Sequence, residues 1–159
     1  MTPLIYIIDK SRNYRNILLS CIEALNYHNI HTFENCEECL ENNGTPDLVV
    51  LDYEQGQGNV NGLQFMKHYK LKFPETDFIF LSSNTKLDIA VDAVRWGAKD
   101  YIVKSQVGLN RLVSRLDSVM KRKIISKKQN SRLKASMVAL VMCSVIFITA
   151  VVLYNQHVI

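Results

Sequence analysis

The sequence predicts an α/β protein, a parallel sheet with helices on both faces, followed by a long apolar helix. Three observations carry that expectation. Five short apolar runs alternate with stretches of three- and four-residue periodicity, the pattern of repeated strand–helix units. The run Leu48-Val49-Val50-Leu51 is unbroken rather than alternating, so it reads as a strand buried on both faces of a parallel sheet. No charged residue occurs from Ala135 to Tyr154, and twenty helical residues rise about 30 Å, the thickness of a bilayer core.

In chain order, Leu4 to Ile8 is the first strand and ends in Asp9. Ser11 is the N-cap of a helix in which Tyr14, Ile17, Leu18, Cys21, Ile22 and Leu25 share one face. His28 to Phe33 is a more polar strand, expected at an edge. Cys36 to Glu41 is a short acidic helix closed by Asn43-Gly44. The central strand then ends in Asp52 and leads into a loop rich in Gly and Asn, Tyr53 to Gly62. A third helix carries Leu63, Met66 and Phe73 and stops at Pro74. Phe78 to Leu81 is a buried strand ending in Ser82-Ser83. Ile89, Ala90, Ala93, Val94 and Trp96 lie on a fourth helix that Gly97 ends. Tyr101-Ile102-Val103 is the fifth strand and ends in Lys104. Leu109, Leu112, Val113, Leu116, Val119 and Met120 mark a fifth helix, expected to run on into the basic segment.

Charge divides the chain. Residues 1–120 carry 12 Lys and Arg against 15 Asp and Glu, whereas residues 121–159 carry seven cations and no acid. The expected domains are therefore a folded unit over 1–120, a basic juxtamembrane segment over 121–134, a transmembrane helix over 135–154 and a short extracytoplasmic tail over 155–159. All seven cations precede the apolar run. The positive-inside rule then predicts a single-pass protein of the inner membrane with its folded unit in the cytoplasm. The basic run is expected to contact anionic lipid. Nothing resembling a helix-turn-helix follows the folded unit, so no nucleic-acid partner is expected. Leu4 to Ile8 is too short for a signal peptide. Cys36 and Cys39 have the spacing of a redox or zinc half-site, but acids separate them and no second pair stands at ligand spacing. The four histidines show no metal-binding pattern.

Four strands end in a reactive side chain: Asp9, Asp52, Ser82 and Lys104. With Ile7-Ile8-Asp9, Leu51-Asp52, Asn61-Gly62-Leu63, Leu81-Ser82-Ser83 and Gly97 to Ser105, the chain resembles a response-regulator receiver domain of two-component signalling over residues 3 to about 120. The resemblance implies a flavodoxin-like doubly wound sheet of order 2-1-3-4-5, with the site at the switch point between strands 1 and 3. It also implies Asp52 as phosphoacceptor for a histidine kinase or phosphotransfer protein, Ser82 and Lys104 as partners of the phosphoryl group, and Tyr101 as the switch aromatic that turns inward once Ser82 is recruited. Mg²⁺ would be held by Asp9, Asp52 and the backbone carbonyl of Glu54.

Three positions depart from the family's pattern. Lys10 stands where a second acid is usual, and an ammonium there is expected to weaken Mg²⁺ binding or to pair with Asp52. The loop after Asp52 is about two residues longer than usual, which is expected to shift Glu54. Ser105 replaces the usual proline after Lys104, so the Lys104 loop is expected to sit differently. The leading expectation is a membrane-tethered single-domain regulator without enzymatic output beyond its own phosphorylation and dephosphorylation. It would act through the face formed by helix 4, strand 5 and helix 5, on a protein partner or as a homodimer. The rival is a degenerate receiver that docks in a membrane complex without phosphate chemistry. A phosphatase on a similar sheet is weaker still, because such enzymes carry a second Asp where this chain has Glu54.

Overall fold

The computed structural model describes residues 2–54, 62–83 and 87–157, although not the side chains of Leu87, Phe147, Ala150 and residues 151–157. The elements are β1 (Ile5–Ile8), α1 (Arg12–Glu23), β2 (Ile30–Phe33), α2 (Cys36–Glu41), β3 (Leu48–Asp52), α3 (Gly62–Lys72), β4 (Asp77–Ser82), α4 (Leu87–Arg95), β5 (Asp100–Val103) and α5 (Gln106–His157). The chain divides into two compact units, Met1–Lys121 and Arg122–Ile159.

In the first unit the five strands form one parallel sheet of order β2-β1-β3-β4-β5. Every residue of β1 and β3 is buried, as the unbroken apolar run required. Successive side chains point to opposite faces, so each strand feeds two cores. Tyr6, Ile8, Val49, Leu51, Phe78 and Phe80 meet Cys36, Cys39, Phe65, Met66, Tyr69 and Ala93 from α2, α3 and α4. Ile5, Ile7, Leu48, Val50, Ile79 and Leu81 meet Leu18, Ile22, Leu112, Leu116, Val119 and Met120 from α1 and α5. Burying one such side chain contributes about 1.5–3 kcal/mol. The polar second strand is the edge strand: His31 and Thr32 are exposed, and only Phe33 is buried.

The ends of the elements follow their local chemistry. Ser11 caps α1 by accepting from the Tyr14 N–H at 3.3 Å. Gly97 adopts a positive φ of 93°. There its N–H reaches the Val94 carbonyl at 2.9 Å and the Ala98 N–H reaches that of Ala93 at 3.0 Å, which ends α4 and turns the chain into β5.

The structure corrects one expectation about the second unit. Among the described residues no helix is long and apolar enough to cross a membrane. That overturns the span assigned to 135–154 and, with it, the inner-membrane placement. Positions 147 and 150–154, and the tail from 155 to 159, lie outside the residues whose side chains are described. Within this unit the Ser144 hydroxyl donates to the Val141 carbonyl at 2.7 Å, and that of Thr149 to the Ile146 carbonyl at 2.8 Å.

Candidate functional site

The register of the sheet brings the strand-end residues together. Ile8 pairs with Leu51, Asp52 with Leu81 and Ser82 with Val103. The next residues after β1 and β5 are Asp9 and Lys104, so all four reactive side chains lie at the carboxyl edge of the sheet. Backbone bonds fix these exits: the Asp9 N–H donates to the Phe33 carbonyl at 3.2 Å, that of Tyr53 to Leu81 at 2.7 Å and that of Lys104 to Ser82 at 2.8 Å.

Asp9, Asp52 and Ser82 are at most 1% exposed. The Lys104 ammonium bridges the two acids, with Nζ 2.7 Å from Asp9 Oδ2 and 2.9 Å from Asp52 Oδ2. Each carboxylate also accepts a backbone donor. Ser11 N–H lies 2.8 Å from Asp9 Oδ1, and Glu54 N–H lies 3.1 Å from Asp52 Oδ1. The Arg15 guanidinium donates to the Asp9 carbonyl. Together the two acids and one ammonium carry a formal charge of −1.

The titration of the cluster reflects that imbalance. Burial pushes the Asp52 carboxyl up, and Asp9 adds to the rise, while Lys104 and the Glu54 N–H oppose it without cancelling it. Burial pulls Lys104 down, but its hydrogen bonds to Asp9 and Asp52 outweigh that and leave it raised. The lysine is therefore cationic at neutral pH.

Ser82 and Tyr101 form the second part of the site. The Tyr101 ring is 9% exposed, and a side-chain hydrogen bond links it to Ser82. Burial raises the phenol, and that bond lowers it. Tyr53 packs edge-on against both Phe80 and Tyr101, with centroids 6.3 and 6.4 Å apart. Tyr101 thus lies inside the fold, already joined to Ser82.

Lys10 does not take the place expected for it. It is exposed and makes no ion pair among the described residues, so the partner of Asp52 is Lys104. Adjacent residues leaving a strand diverge, and with Asp9 turned inward Lys10 faces solvent. Ser105 in place of proline leaves Lys104 on both carboxylates. The loop expectation concerns residues 55–61, which lie outside the described residues. Cys36 and Cys39 are buried free thiols of the core. Burial raises both, Cys39 to about 12, so neither offers a thiolate at neutral pH.

For a divalent cation the donor set is two buried carboxylates, and no group of three His, Cys, Asp or Glu side chains stands at metal-binding distance among the described residues. Mg²⁺ characteristically takes one or two carboxylates and completes its shell with water and phosphate oxygens. The excess negative charge of the pair fits that requirement. The sequence reading missed Tyr14, whose ring lies under the Lys104 ammonium at 4.9 Å; its only signal was a place on the buried face of α1.

Comparison with known proteins agrees with this geometry. The family model for the response regulator receiver domain matches residues 5–117. The regulatory protein LuxO of Vibrio cholerae is 30% identical over 91 residues, which cover 54% of this chain and 19% of LuxO. The DNA-binding transcriptional regulator NtrC of Escherichia coli K12 is 29% identical over 103 residues, 64% of this chain and 21% of NtrC. The matches therefore span about a fifth of these relatives. Among solved structures, the response regulator DrrB of Thermotoga maritima superposes with a TM-score of 0.68 at 22% identity, over 77% of this chain and 54% of DrrB. TrrA of the same organism, in complex with Mg²⁺ and beryllofluoride, gives 0.63 at 26% identity, over 74% of this chain and 98% of TrrA.

Proposed function

This chain belongs to the response regulator receiver domain family of two-component signalling, and we propose that it acts by accepting a phosphoryl group on Asp52. One observation carries the reading: a single buried ammonium bridges Asp9 and Asp52, at 2.7 and 2.9 Å, at the carboxyl edge of the sheet. Receiver domains take their phosphoryl group from histidine kinases or phosphotransfer proteins, and we assign this chain the same class of donor.

In the transfer, a carboxylate oxygen of Asp52 attacks phosphorus. A P–O bond forms, the P–N bond to the donor's imidazole breaks, and the imidazole keeps that electron pair and takes up a proton. Lys104 turns from the carboxylates to the phosphoryl oxygens and pairs with them. Ser82 donates its hydroxyl to the same group, which loosens its bond with Tyr101 and ties the β4–β5 face to the state of Asp52. Asp9, Asp52 and the Glu54 carbonyl would hold Mg²⁺; when bound, the ion neutralises charge on the phosphoryl oxygens. That TrrA is held with Mg²⁺ and beryllofluoride supports the assignment. The signalling unit comprises residues 1–120, with a basic segment over 121–134, and its output is a protein contact through the α4, β5 and α5 face.

The test is labelling of the full chain by acetyl phosphate, with and without Mg²⁺. Label that needs Mg²⁺ and is lost in Asp52→Asn is the expected result. An unlabelled wild type would refute the reading and favour a docking role without phosphate chemistry, the alternative that the exposed Lys10 supports.

A further inference from the structure

We propose that Tyr14 is a positioning residue that roofs the Lys104 ammonium, holding it on the carboxylate pair and shielding it from water. The proposal rests on the assignment of Asp52 and Lys104 above and goes beyond it.

The Lys104 Nζ lies over the Tyr14 ring, 4.9 Å from its centroid, within the range at which the negative face of an aromatic ring attracts a cation. An ammonium has three N–H donors. One is donated to Asp9 Oδ2 and the Asp52 carboxylate lies 2.9 Å away as an ion-pair partner, and the ring offers an acceptor face for a further side. Burial raises the half-buried Tyr14 phenol, Lys104 lowers it, and Asp9 and Asp52 raise it.

The first turn of α1 is fastened to the same acid that Lys104 binds. Tyr14 N–H donates to Ser11 Oγ at 3.3 Å, Ser11 N–H donates to Asp9 Oδ1 at 2.8 Å, and Arg15 donates to the Asp9 carbonyl. The ring therefore stands at a height fixed by Asp9 rather than by its own packing alone.

The roof has a chemical consequence. Loss of the phosphoryl group from Asp52 requires a water oxygen to attack phosphorus. The P–O bond to Asp52 then breaks, the carboxylate keeps the electron pair, and inorganic phosphate leaves with the water's proton passing to solvent. A ring that stays against Lys104 when it pairs with the phosphoryl oxygens would hold that pairing and so prolong the phosphorylated state.

The test compares wild type, Tyr14→Phe and Tyr14→Leu in the full chain. The first readout needs no phosphorylation: nitrogen-detected NMR of the Lys104 ammonium. Wild type and Tyr14→Phe should show a ring-shifted, slowly exchanging resonance, and in Tyr14→Leu exchange should quicken about two- to fivefold, as an exposed to partly desolvated cation–π contact implies. The second readout is the lifetime of label on Asp52, expected to shorten by a similar factor in Tyr14→Leu and to return to the wild-type value in Tyr14→Phe. Equal exchange and equal lifetime in all three proteins overturn the proposal. So does a wild type whose Lys104 ammonium exchanges at the rate of surface lysines, a result that needs no variant to fold. If wild type takes no label, the Asp52 assignment fails, and the ammonium measurement alone decides the role of Tyr14.

Discussion

Replacing Lys104 by methionine isolates the electrostatics of the site, because the apolar stem is kept and only the ammonium is lost. In the folded protein that ammonium serves two carboxylates at 2.7 and 2.9 Å, with the lysine side chain 16% exposed and each acid 1%. Its removal leaves two like charges adjacent and out of water. Removing one partner of a buried pair costs about 3–5 kcal/mol, which for a unit of this size lowers the melting temperature by roughly 10 to 20 °C. The pH dependence has a definite sign. Without the ammonium both acids titrate above their unfolded values, so the unfolded chain gives up its protons first and stability falls as pH rises through the carboxylate range. The deficit against wild type should thus be full at pH 7 and shrink near pH 4. Adding Asp52→Asn should recover most of it, since the double variant keeps the same residual charge of −1. Urea unfolding followed by circular dichroism at both pH values measures all of this. A single variant within about 1 kcal/mol of wild type, or a deficit independent of pH, would refute the charge-bridge reasoning.

Two further variants probe the shape and charge of the same edge. A Cβ on Gly108 would lie 1.9 Å from the Val103 carbonyl oxygen and 3.1 Å from Ser105 Oγ. Gly108→Ala should therefore cost about 1–3 kcal/mol of stability and, by shifting the residue before Lys104, reduce labelling of Asp52. Lys10→Asp places a carboxylate beside Asp9 where an exposed ammonium now stands; Mg²⁺ affinity measured by calorimetry should rise about tenfold or more, and an unchanged affinity would remove Lys10 from any account of the metal site.

What the sequence disclosed, and what it did not, divides along the distance over which residues interact. Asp9, Asp52, Ser82 and Lys104 were legible because each stops an unbroken apolar run, and in a parallel sheet the ends of such runs converge. The sheet order came from the family resemblance and is the order observed. That Lys10 pairs with Asp52 was one of two expectations for it, and it rested on Lys10 being next to Asp9 in the chain. Spatial proximity instead belongs to Lys104, 95 residues from Asp9. Tyr14 was hidden for the same reason: its spacing with Leu18 and Ile22 reads as core, and the contact with Lys104 exists only once the sheet brings the ends of β1, β3 and β5 to one edge. The membrane span expected after Ala135 rests on composition alone, and among the described residues no helix is long and apolar enough to cross a membrane.

The charge imbalance of the site also gives a reason for its burial. A cluster of two acids and one ammonium could have been left at the surface, where water would screen it at little cost. With its two acids held at 1% exposure or less, the cluster retains an excess negative charge, and burial is the main reason Asp52 titrates high. Stability is given up there in the folded domain, as at other sites arranged for a ligand. A ligand that brings positive charge to the carboxylates, or that draws Lys104 and Ser82 onto phosphoryl oxygens, would offset that excess charge. Ser82 is joined to Tyr101 and Tyr101 to Tyr53, so on the phosphoacceptor reading proposed above the change at Asp52 would pass through side chains already in contact. The coupling between site and surface is then set by how the Ser82 hydroxyl divides between the two partners, a difference of about one hydrogen bond, or 0.5–1.5 kcal/mol. A switch of that size alters the two populations severalfold rather than absolutely, so the output of this domain should be graded by the fraction phosphorylated and not held at either limit by the fold alone.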